Sequence, residues 1–351
     1  MEPPWYRVSR FYEKVGEDRV KCLVCSRGCV LGEGAKGFCG NRVNKDGRLY
    51  CVSYGLLSAV ESRPIEIKPL FHYWPNSTSL TFSGWGCNFK CPWCQNYFLS
   101  MADPRPEHSI YLSPKSLVLE AIKRGDEGVC ASFNEPVVHA EYVIDVAKIA
   151  REYGLYTVIV TNGYMTKRVL EEMLEAGIDG YSMDIKCCPE TCRRILGIDP
   201  YVVLSNAKYI IDNGGHVEMV YLIVTGANDS DECIDWIIDN HLKYLGENVP
   251  LHINRYYPAY KYNKPPTPLD TLFKAYNKAR EAGIKYVYLG NISDEKYQDT
   301  YCPKCGKLLV KRRRYRVVEW KLTRDNRCPR CGEKIPVKGE YVPGKSLPPL
   351  F

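Results

Sequence analysis

The sequence lacks any long hydrophobic run. No apolar stretch in its 351 residues approaches the roughly 20 that a membrane helix needs, and the opening MEPPWYRVSR has no hydrophobic segment of the kind found in signal peptides. Internal repeats and low-complexity segments are also missing. With 45% hydrophobic and 25% charged residues, the composition is that of a folded chain rather than a disordered one. We therefore expect a cytoplasmic protein without a membrane partner.

Cysteine, by contrast, is abundant, with 17 residues. A secreted disulfide scaffold would be shorter, whereas closely spaced cysteines in an intracellular chain indicate metal or redox chemistry. Eleven cysteines form three groups: Cys22, Cys25, Cys29 and Cys39; Cys87, Cys91 and Cys94; and Cys302, Cys305, Cys328 and Cys331. Six others are interpreted as packing residues, with a disulfide among Cys187, Cys188 and Cys192 left open: Cys51, Cys130, Cys187, Cys188, Cys192 and Cys233.

Between residues 79 and 291, short β-branched or aromatic runs alternate with amphipathic stretches, which is typical of a parallel sheet with crossover helices. Seven strands are predicted, at 79–84, 129–133, 156–161, 181–185, 216–224, 251–256 and 286–290. Seven runs instead of eight favour a partial barrel over a closed one.

The sequence thus predicts an α/β fold with four parts. A partial (β/α)6 TIM-type barrel covers residues 76–298, and a small Cys-rich metal-binding region covers residues 1–75. A zinc ribbon covers residues 299–342, and residues 343–351 form a tail. Polar residues recur where the predicted strands end, and the carboxyl ends of parallel strands face one crevice in which active sites collect.

Three cysteines follow the first predicted strand directly, in the segment GWGCNFKCPWC at residues 84–94. The glycines allow the backbone to fold tightly around a bulky inorganic ligand, and the aromatic residues exclude water. A [4Fe–4S] cluster normally takes four thiolates. Three thiolates leave one iron open, and an open position is the mark of a catalytic metal site.

This loop resembles the signature of the radical S-adenosylmethionine (SAM) superfamily, CxxxCxxC with an aromatic residue before the last cysteine. Cys87, Cys91, Trp93 and Cys94 meet that pattern. Over about residues 20–335 the chain is similar to the branch of pyruvate formate-lyase activating enzymes, and within it to the radical SAM component of the AmmeMemoRadiSam system. The resemblance rests on GWGCNFKCPWCQN, SFNEP, TNGY, MDIK, VTGANDS and HINRYYPAYK.

The resemblance implies which side chains contact SAM. In the superfamily a Gly-Gly-Glu motif at the second strand end receives the amino group of SAM, and Phe133-Asn134-Glu135 stands there in this chain. The other contacts implied are Trp93, Thr161, Asn162, Asp184, Lys186 and Arg255. From the residues alone, Glu135 could instead be a charge at a helix N-terminus. Asp184 and Lys186 could equally form an ion pair. The resemblance also implies a weaker contact for His252, which could instead be a buried core residue.

The resemblance also implies the reaction. An external one-electron donor such as ferredoxin or flavodoxin reduces the cluster, SAM is cleaved, and a 5′-deoxyadenosyl radical abstracts hydrogen from the substrate. We expect a macromolecular substrate, either a protein activated as in glycyl-radical enzymes or an RNA, with Memo-family proteins and other AmmeMemoRadiSam components as partners. A different class is a non-catalytic iron–sulfur or zinc protein that transfers electrons or binds nucleic acid.

The last cysteine group consists of two CPxCG knuckles 22 residues apart, a spacing typical of a zinc ribbon. An auxiliary iron–sulfur cluster is the alternative.

Residues 301–351 carry 14 Lys and Arg against four Asp and Glu, whereas residues 1–300 carry 34 Lys and Arg against 37 Asp and Glu. The basic run KRRRYR at 311–316 could grip phosphates and stack on a base, or could be a solvated hairpin tip.

The first group, Cys22, Cys25, Cys29 and Cys39, also offers four thiolates. Only the last of these cysteines has flanking residues like those of a zinc knuckle. Zinc and a second [4Fe–4S] cluster are both consistent with these residues.

Overall fold

The structure is a computed structural model that describes residues 3–345. The chain divides into two compact units. The first comprises residues 3–62, 79–181 and 259–262, and the second comprises residues 63–78, 182–258 and 263–345. Of the predicted tail at 343–351, residues 346–351 lie outside the described part.

The amino-terminal part of the first unit is antiparallel. Two three-stranded sheets occur there, one of Arg7–Val8, Arg48–Cys51 and Arg42–Lys45, the other of Tyr12–Lys14, Val20–Cys22 and Val30–Leu31. Leu56–Leu57 pairs with Ile110–Tyr111, and a further strand spans Ala59–Pro64. The first cysteine group therefore lies on short strands and the turns between them, which place its backbone close together.

The first unit also contains three parallel strands, Thr78–Ser83, Gly128–Ala131 and Tyr156–Thr161, with the second paired to both others. All but one of their residues are buried, as expected for β-branched strands covered on both faces. The helices Pro114–Arg124, Ala140–Glu152 and Lys167–Ala176 accompany them, with a short helix at Tyr97–Ser100 and 3₁₀ turns at Pro106–His108 and Pro136–His139. Ser113 and Thr166 cap two of these helices through side-chain oxygens, which fixes where each begins.

The second unit repeats this design. His216–Ile223, Leu251–Arg255 and Val287–Gly290 are parallel and paired in that order. Its helices are Pro189–Thr191, Pro200–Asp212, Asp231–Leu245 and Leu269–Glu281, with a π-helical turn at Cys192–Leu196 and 3₁₀ turns at Ile65–Ile67 and Glu295–Gln298. The strand Ile178–Asp184 begins in the first unit and ends in the second. Thr300–Tyr301, Leu308–Arg313 and Arg316–Trp320 form a carboxyl-terminal antiparallel sheet.

These elements confirm the predicted α/β class with parallel strands, and each of the seven predicted strands is present. The largest difference is at the fourth, predicted from residue 181 but beginning at Ile178. Closure into a partial (β/α)6 barrel and the domain boundaries at 75, 298 and 342 stay predictions. No helix within residues 3–345 combines the length and apolarity that crossing a bilayer requires.

Arg312, in the basic run at 311–316, is buried in the second unit, with 1% of its surface exposed. Its Nη1 donates to the carbonyl oxygen of Gln298 and to Oγ1 of Thr300, and its Nη2 donates to the carbonyl oxygen of Phe71. The guanidinium carbon also lies 4.3 Å from the centre of the Phe71 ring. Arg312 therefore joins the carboxyl-terminal sheet to the segment around Phe71.

The expectation that 311–316 forms an exposed basic tip is wrong at Arg312. Arg313 is only half-exposed, and its Nη1 lies 2.9 Å from Oδ1 of Asp299. The structure describes all six residues of the run, and among them Arg314 alone is fully exposed. The run thus offers fewer accessible cations than its sequence indicates.

Replacing Arg312 with alanine should lower the free energy of unfolding by about 2–4 kcal/mol, because three buried acceptors lose a charged donor. Arg314→Ala is the matched control, since this exposed arginine should change stability by no more than about 0.5 kcal/mol. Denaturant unfolding followed by circular dichroism measures both. Equal losses in the two variants would contradict the structural role of Arg312.

Candidate functional site

The three-cysteine loop begins where the strand Thr78–Ser83 ends, and two side chains from the neighbouring segment fix its first turn. Oδ1 of Asn134 accepts from the Gly84 amide at 3.0 Å, and Nδ2 of Asn134 donates to the Gly86 carbonyl at 3.0 Å. The Trp85 amide donates to Nε2 of His139 at 3.1 Å. Burial lowers the pKa of His139 to about 4, so this imidazole is neutral and can accept that bond.

The amino-terminal region packs directly on the same loop. Gly86 has a φ of 79°, and a Cβ at this position would lie 2.2 Å from the carbonyl oxygen of Cys39. Nδ2 of Asn41 donates to the Trp85 carbonyl at 2.6 Å. Gly86 is therefore required both by its backbone conformation and by the close approach of the Cys39 segment.

The donor set around Cys87 suits an iron–sulfur ligand. The Phe89 amide donates to Sγ of Cys87 at 3.3 Å, and Nδ2 of Asn162 lies 3.8 Å from the same sulfur. Burial raises the pKa of the Cys87 thiol well above its usual value, so a bare thiolate here is unfavourable and needs a bound cation. Cys91 is buried and Cys94 half-buried in the turn that follows. The site thus offers three thiols, which are soft ligands, and N–H donors directed at the Cys87 sulfur. This combination fits a [4Fe–4S] cluster.

Glu135 ties two strand ends together. Its Oε1 accepts from Oγ1 of Thr161 at 2.6 Å and from the Val137 amide at 3.1 Å, and its Oε2 accepts from the Asn162 amide at 2.8 Å. The carboxylate therefore serves as an N-terminal cap of the turn Pro136–His139 and positions the third strand end. Its contact with SAM stays a prediction.

Phe133 adopts a backbone conformation that glycine favours. Its φ is 68°, in the left-handed region that a bulky residue rarely adopts. Nδ2 of Asn96 donates to its carbonyl oxygen at 2.8 Å and helps to hold that conformation. The segment 133–135 thus keeps a glycine-like turn although both glycines of the family motif are missing. Strained residues of this kind concentrate at functional sites.

The remaining predicted contacts belong to the second unit. Nζ of Lys186 lies 2.9 Å from Oδ2 of Asp184, so the ion pair considered from the sequence is present. Arg255 donates from Nε to the carbonyl of Thr267 at 2.7 Å. His252 is buried beside Glu218, with 2.7 Å between Nε2 and Oε2, which confirms it as a core residue. The roles of Asp184, Lys186 and Arg255 toward SAM stay predictions.

The cysteines after Lys186 pair in a way that the sequence left open. Cys187 and Cys192 form a disulfide. Cys188 stays a free thiol, and its backbone amide donates to Sγ of Cys233 at 3.1 Å. These residues belong to none of the three metal-binding groups.

The carboxyl-terminal cysteines form a compact set. The four sulfurs of Cys302, Cys305, Cys328 and Cys331 lie within 4.8 Å of one another. The two knuckles have the same geometry: Gly306 donates to the Cys302 carbonyl at 3.0 Å, and Gly332 donates to the Cys328 carbonyl at 2.9 Å. Four thiolates this close can bind one tetrahedral ion.

Sequence reasoning missed three side chains that hold the loop, namely Asn41, Asn88 and His139. Asn88 is fully buried, and its Oδ1 accepts from Nδ2 of Asn162 at 2.7 Å. Each is a common polar residue outside any spacing rule, so the pattern carried no signal for it.

Comparison with known proteins identifies the family. The model of the radical SAM superfamily matches residues 83–240, which include the three-cysteine loop and both strand ends around Glu135. An uncharacterised protein of Methanocaldococcus jannaschii is 38% identical over 307 residues, which are 87% of this chain and 91% of that protein. The chain belongs to the radical SAM superfamily. Membership implies an enzyme that uses a [4Fe–4S] cluster and SAM.

Other relatives are more distant. The pyruvate formate-lyase 1-activating enzyme of Escherichia coli K12 is 27% identical over 152 residues, 42% of this chain and 61% of that enzyme. The crystal structure of a radical SAM methyltransferase from Sphaerobacter thermophilus is similar at a TM-score of 0.49 and 12% identity, over 81% of this chain and 76% of the other.

Glu135→Gln should lower the free energy of unfolding by about 1–3 kcal/mol. An amide has only one acceptor oxygen, so its NH2 group must face either the Asn162 amide or the Thr161 and Val137 donors. Glu152→Gln, on an exposed helix end, is the control. Thermal and denaturant unfolding of the metal-free protein measure the effect without any contribution from catalysis. A Glu135→Gln variant as stable as the control would show that the carboxylate does not tie the two strand ends.

Proposed function

We propose that this chain is a radical SAM enzyme that generates a radical on a macromolecular substrate, with activation of a protein by a glycyl-type radical as the favoured reaction. The observation that carries the proposal is the convergence on Cys87. The loop amide of Phe89 and the side chain of Asn162 both donate toward its sulfur, while Glu135 fixes the strand end that carries Asn162.

Cys87, Cys91 and Cys94 would hold the cluster, and their number leaves one iron for SAM. When bound, the cluster and SAM supply one-electron reductive cleavage to methionine and a 5′-deoxyadenosyl radical, which takes a hydrogen atom from the substrate.

The chain's own residues bind and orient SAM and exclude water. Hydrogen bonds from two strand ends hold the Glu135 carboxylate in place, and its negative charge attracts the ammonium group of SAM. Trp93 and Phe89 are buried beside the cysteines, which keeps solvent from the reacting atoms. We assign Asn134 and Thr161 to positioning, and Asp184, Lys186 and Arg255 to the carboxylate and ribose of SAM.

The protein substrate is supported by the relatives named as activating enzymes. A one-electron donor of the ferredoxin or flavodoxin class would be required, and Memo-family proteins of the AmmeMemoRadiSam system are candidate partners. The RNA alternative depended on an exposed basic tip, and burial of Arg312 takes one of its cations out of reach of a phosphate.

Anaerobically reconstituted protein, supplied with dithionite and SAM, should produce 5′-deoxyadenosine. Cys91→Ala should reduce the product to background, because two thiolates do not retain a catalytic cluster. Cys51→Ala is the matched control, since this buried thiol belongs to none of the three groups. Chromatography of the quenched reaction measures the product.

A protein with a fully loaded cluster that forms no 5′-deoxyadenosine would refute the proposed activity. Equal loss in Cys91→Ala and Cys51→Ala would assign the effect to folding.

For the carboxyl-terminal set we propose zinc. A tetrahedral ion with Zn–S bonds of about 2.3 Å places its sulfurs about 3.8 Å apart. The Cys302–Cys331 and Cys305–Cys328 sulfurs are 3.5 and 3.6 Å apart. These sulfur–sulfur distances are close to the tetrahedral value, so the four thiols suit one zinc ion between the two knuckles.

Metal analysis of Cys305→Ser/Cys331→Ser should show the loss of about one zinc per chain with iron unchanged. Cys188→Ser, at a half-buried thiol outside the set, is the control and should keep its zinc. Loss of about four irons in the double variant would instead identify an auxiliary cluster.

A further inference from the structure

The four amino-terminal cysteines surround one cavity. It is lined by Cys22, Cys25, Cys29 and Cys39, together with the apolar side chain of Phe38 and the polar side chain of Asn88. Three of the four cysteines are buried, and Cys29 is half-buried. Cys22 ends the strand Val20–Cys22, and the backbone hydrogen bond from the Cys22 amide to the Cys29 carbonyl, at 2.8 Å, holds these two cysteines close together.

This arrangement differs from the carboxyl-terminal set. A zinc ion bonded to four thiolates at about 2.3 Å fills the space between them and leaves no cavity. The four sulfurs of the carboxyl-terminal set are already close enough for such an ion. Within residues 3–345 the amino-terminal thiols do not converge in this way, and they line a cavity together with apolar side chains. More widely spaced thiols suit a larger inorganic group than a single ion.

Asn88 is the second observation that points to a ligand in this cavity. The residue is fully buried, yet its Nδ2 has no hydrogen-bond partner. Asn88 lines the same cavity as Cys25 and the other three cysteines. A buried N–H without an acceptor is costly. A thiolate or sulfide in the cavity would provide the missing acceptor.

Hydrogen bonds fix both the backbone and the side chain of Asn88. Nε of Arg27 donates to the Asn88 carbonyl, and the Arg27 guanidinium lies 3.8 Å from the centre of the Phe38 ring. At the other end of the side chain, Oδ1 accepts from Asn162. Asn88 follows Cys87 directly in the sequence, so one residue of the three-cysteine loop both lines the amino-terminal cavity and adjoins the Cys87 ligand.

We propose that Cys22, Cys25, Cys29 and Cys39 hold a second iron–sulfur cluster of the [4Fe–4S] type, with the Asn88 amide as hydrogen-bond donor to one of its sulfurs. The site itself does not depend on the proposed function, but its electron-transfer role does. When bound, this cluster would accept one electron from a donor of the ferredoxin or flavodoxin class, which would be oxidised, and would pass it to the cluster held by Cys87, Cys91 and Cys94. The amino-terminal cluster would then return to its starting oxidation state.

The test uses the full-length chain in which the catalytic thiols are absent, Cys87→Ala/Cys91→Ala/Cys94→Ala, reconstituted anaerobically. The wild-type protein should contain about eight irons and this triple variant about four. Dithionite should give the triple variant an S = 1/2 electron paramagnetic resonance signal. Adding Cys25→Ala and Cys39→Ala should remove both the remaining irons and the signal.

A triple variant with no iron and about two zincs would overturn the second cluster and assign zinc to the amino-terminal set. Mössbauer spectroscopy of the ⁵⁷Fe-loaded wild-type protein counts the clusters without any substitution, so poor folding of a variant cannot hide the answer. If wild-type protein forms 5′-deoxyadenosine but holds only four irons, the second cluster fails alone. If the triple variant keeps four irons while wild type forms no product, the proposed function fails alone.

Asn88→Ala, made in the triple variant, tests the hydrogen bond. Loss of an N–H donor to a cluster sulfur destabilises the reduced, more negative state, so the midpoint potential should become more negative. Asn248→Ala, at an exposed asparagine, should leave the potential unchanged. An unchanged potential in Asn88→Ala would overturn the assignment of this donor.

Discussion

The close contact between the Cys39 carbonyl and Gly86 is the constraint on which the arrangement of both thiol sets in the first unit depends. Because residue 86 has no side chain, the amino-terminal segment reaches the backbone of the three-cysteine loop, and Asn41 can then bond the Trp85 carbonyl. Arg27 makes a second connection, at the Asn88 carbonyl. The amino-terminal segment that carries the cysteines therefore packs directly against the three-cysteine loop, and a shift in either segment would move the other.

Around Cys87 the polar side chains bond mainly to one another. Asn134 orients the loop, Glu135 joins two strand ends, and Asn162 reaches both Asn88 and the Cys87 sulfur. These hydrogen bonds fix the strand ends relative to the loop, so the site is largely preorganised. The left-handed Phe133 is part of the cost of that preorganisation, since a non-glycine residue there stores roughly 1–3 kcal/mol of strain.

The seven strands were predictable because buried β-branched runs have few other interpretations, and the three cysteine groups were predictable because metal sites impose spacing. Burial of Arg312 was not. A register shift between Lys311 and Arg312 changes which side chains face inward, and a run of basic residues gives no sign of such a bulge. The pairing of Cys187 with Cys192 was equally beyond sequence spacing, since Cys188 lies beside both. Asn88 lies inside the three-cysteine motif, but its contact with Arg27 depends on a segment about 60 residues earlier in the chain.

Burial of Arg312 also determines how this chain can be shortened. Phe71, Tyr288 and the sheet residues Leu309 and Val310 share one apolar cluster, and the arginine satisfies carbonyl groups on both sides of it. Glu66 is buried in the same unit, where burial raises its pKa to about 7 and the charge of Arg312 opposes that rise. Truncation before the carboxyl-terminal sheet would leave aromatic rings exposed to water and a carboxyl group without its balancing cation. The carboxyl-terminal sheet is thus an integral part of the second unit's core and cannot be treated as a detachable binding module.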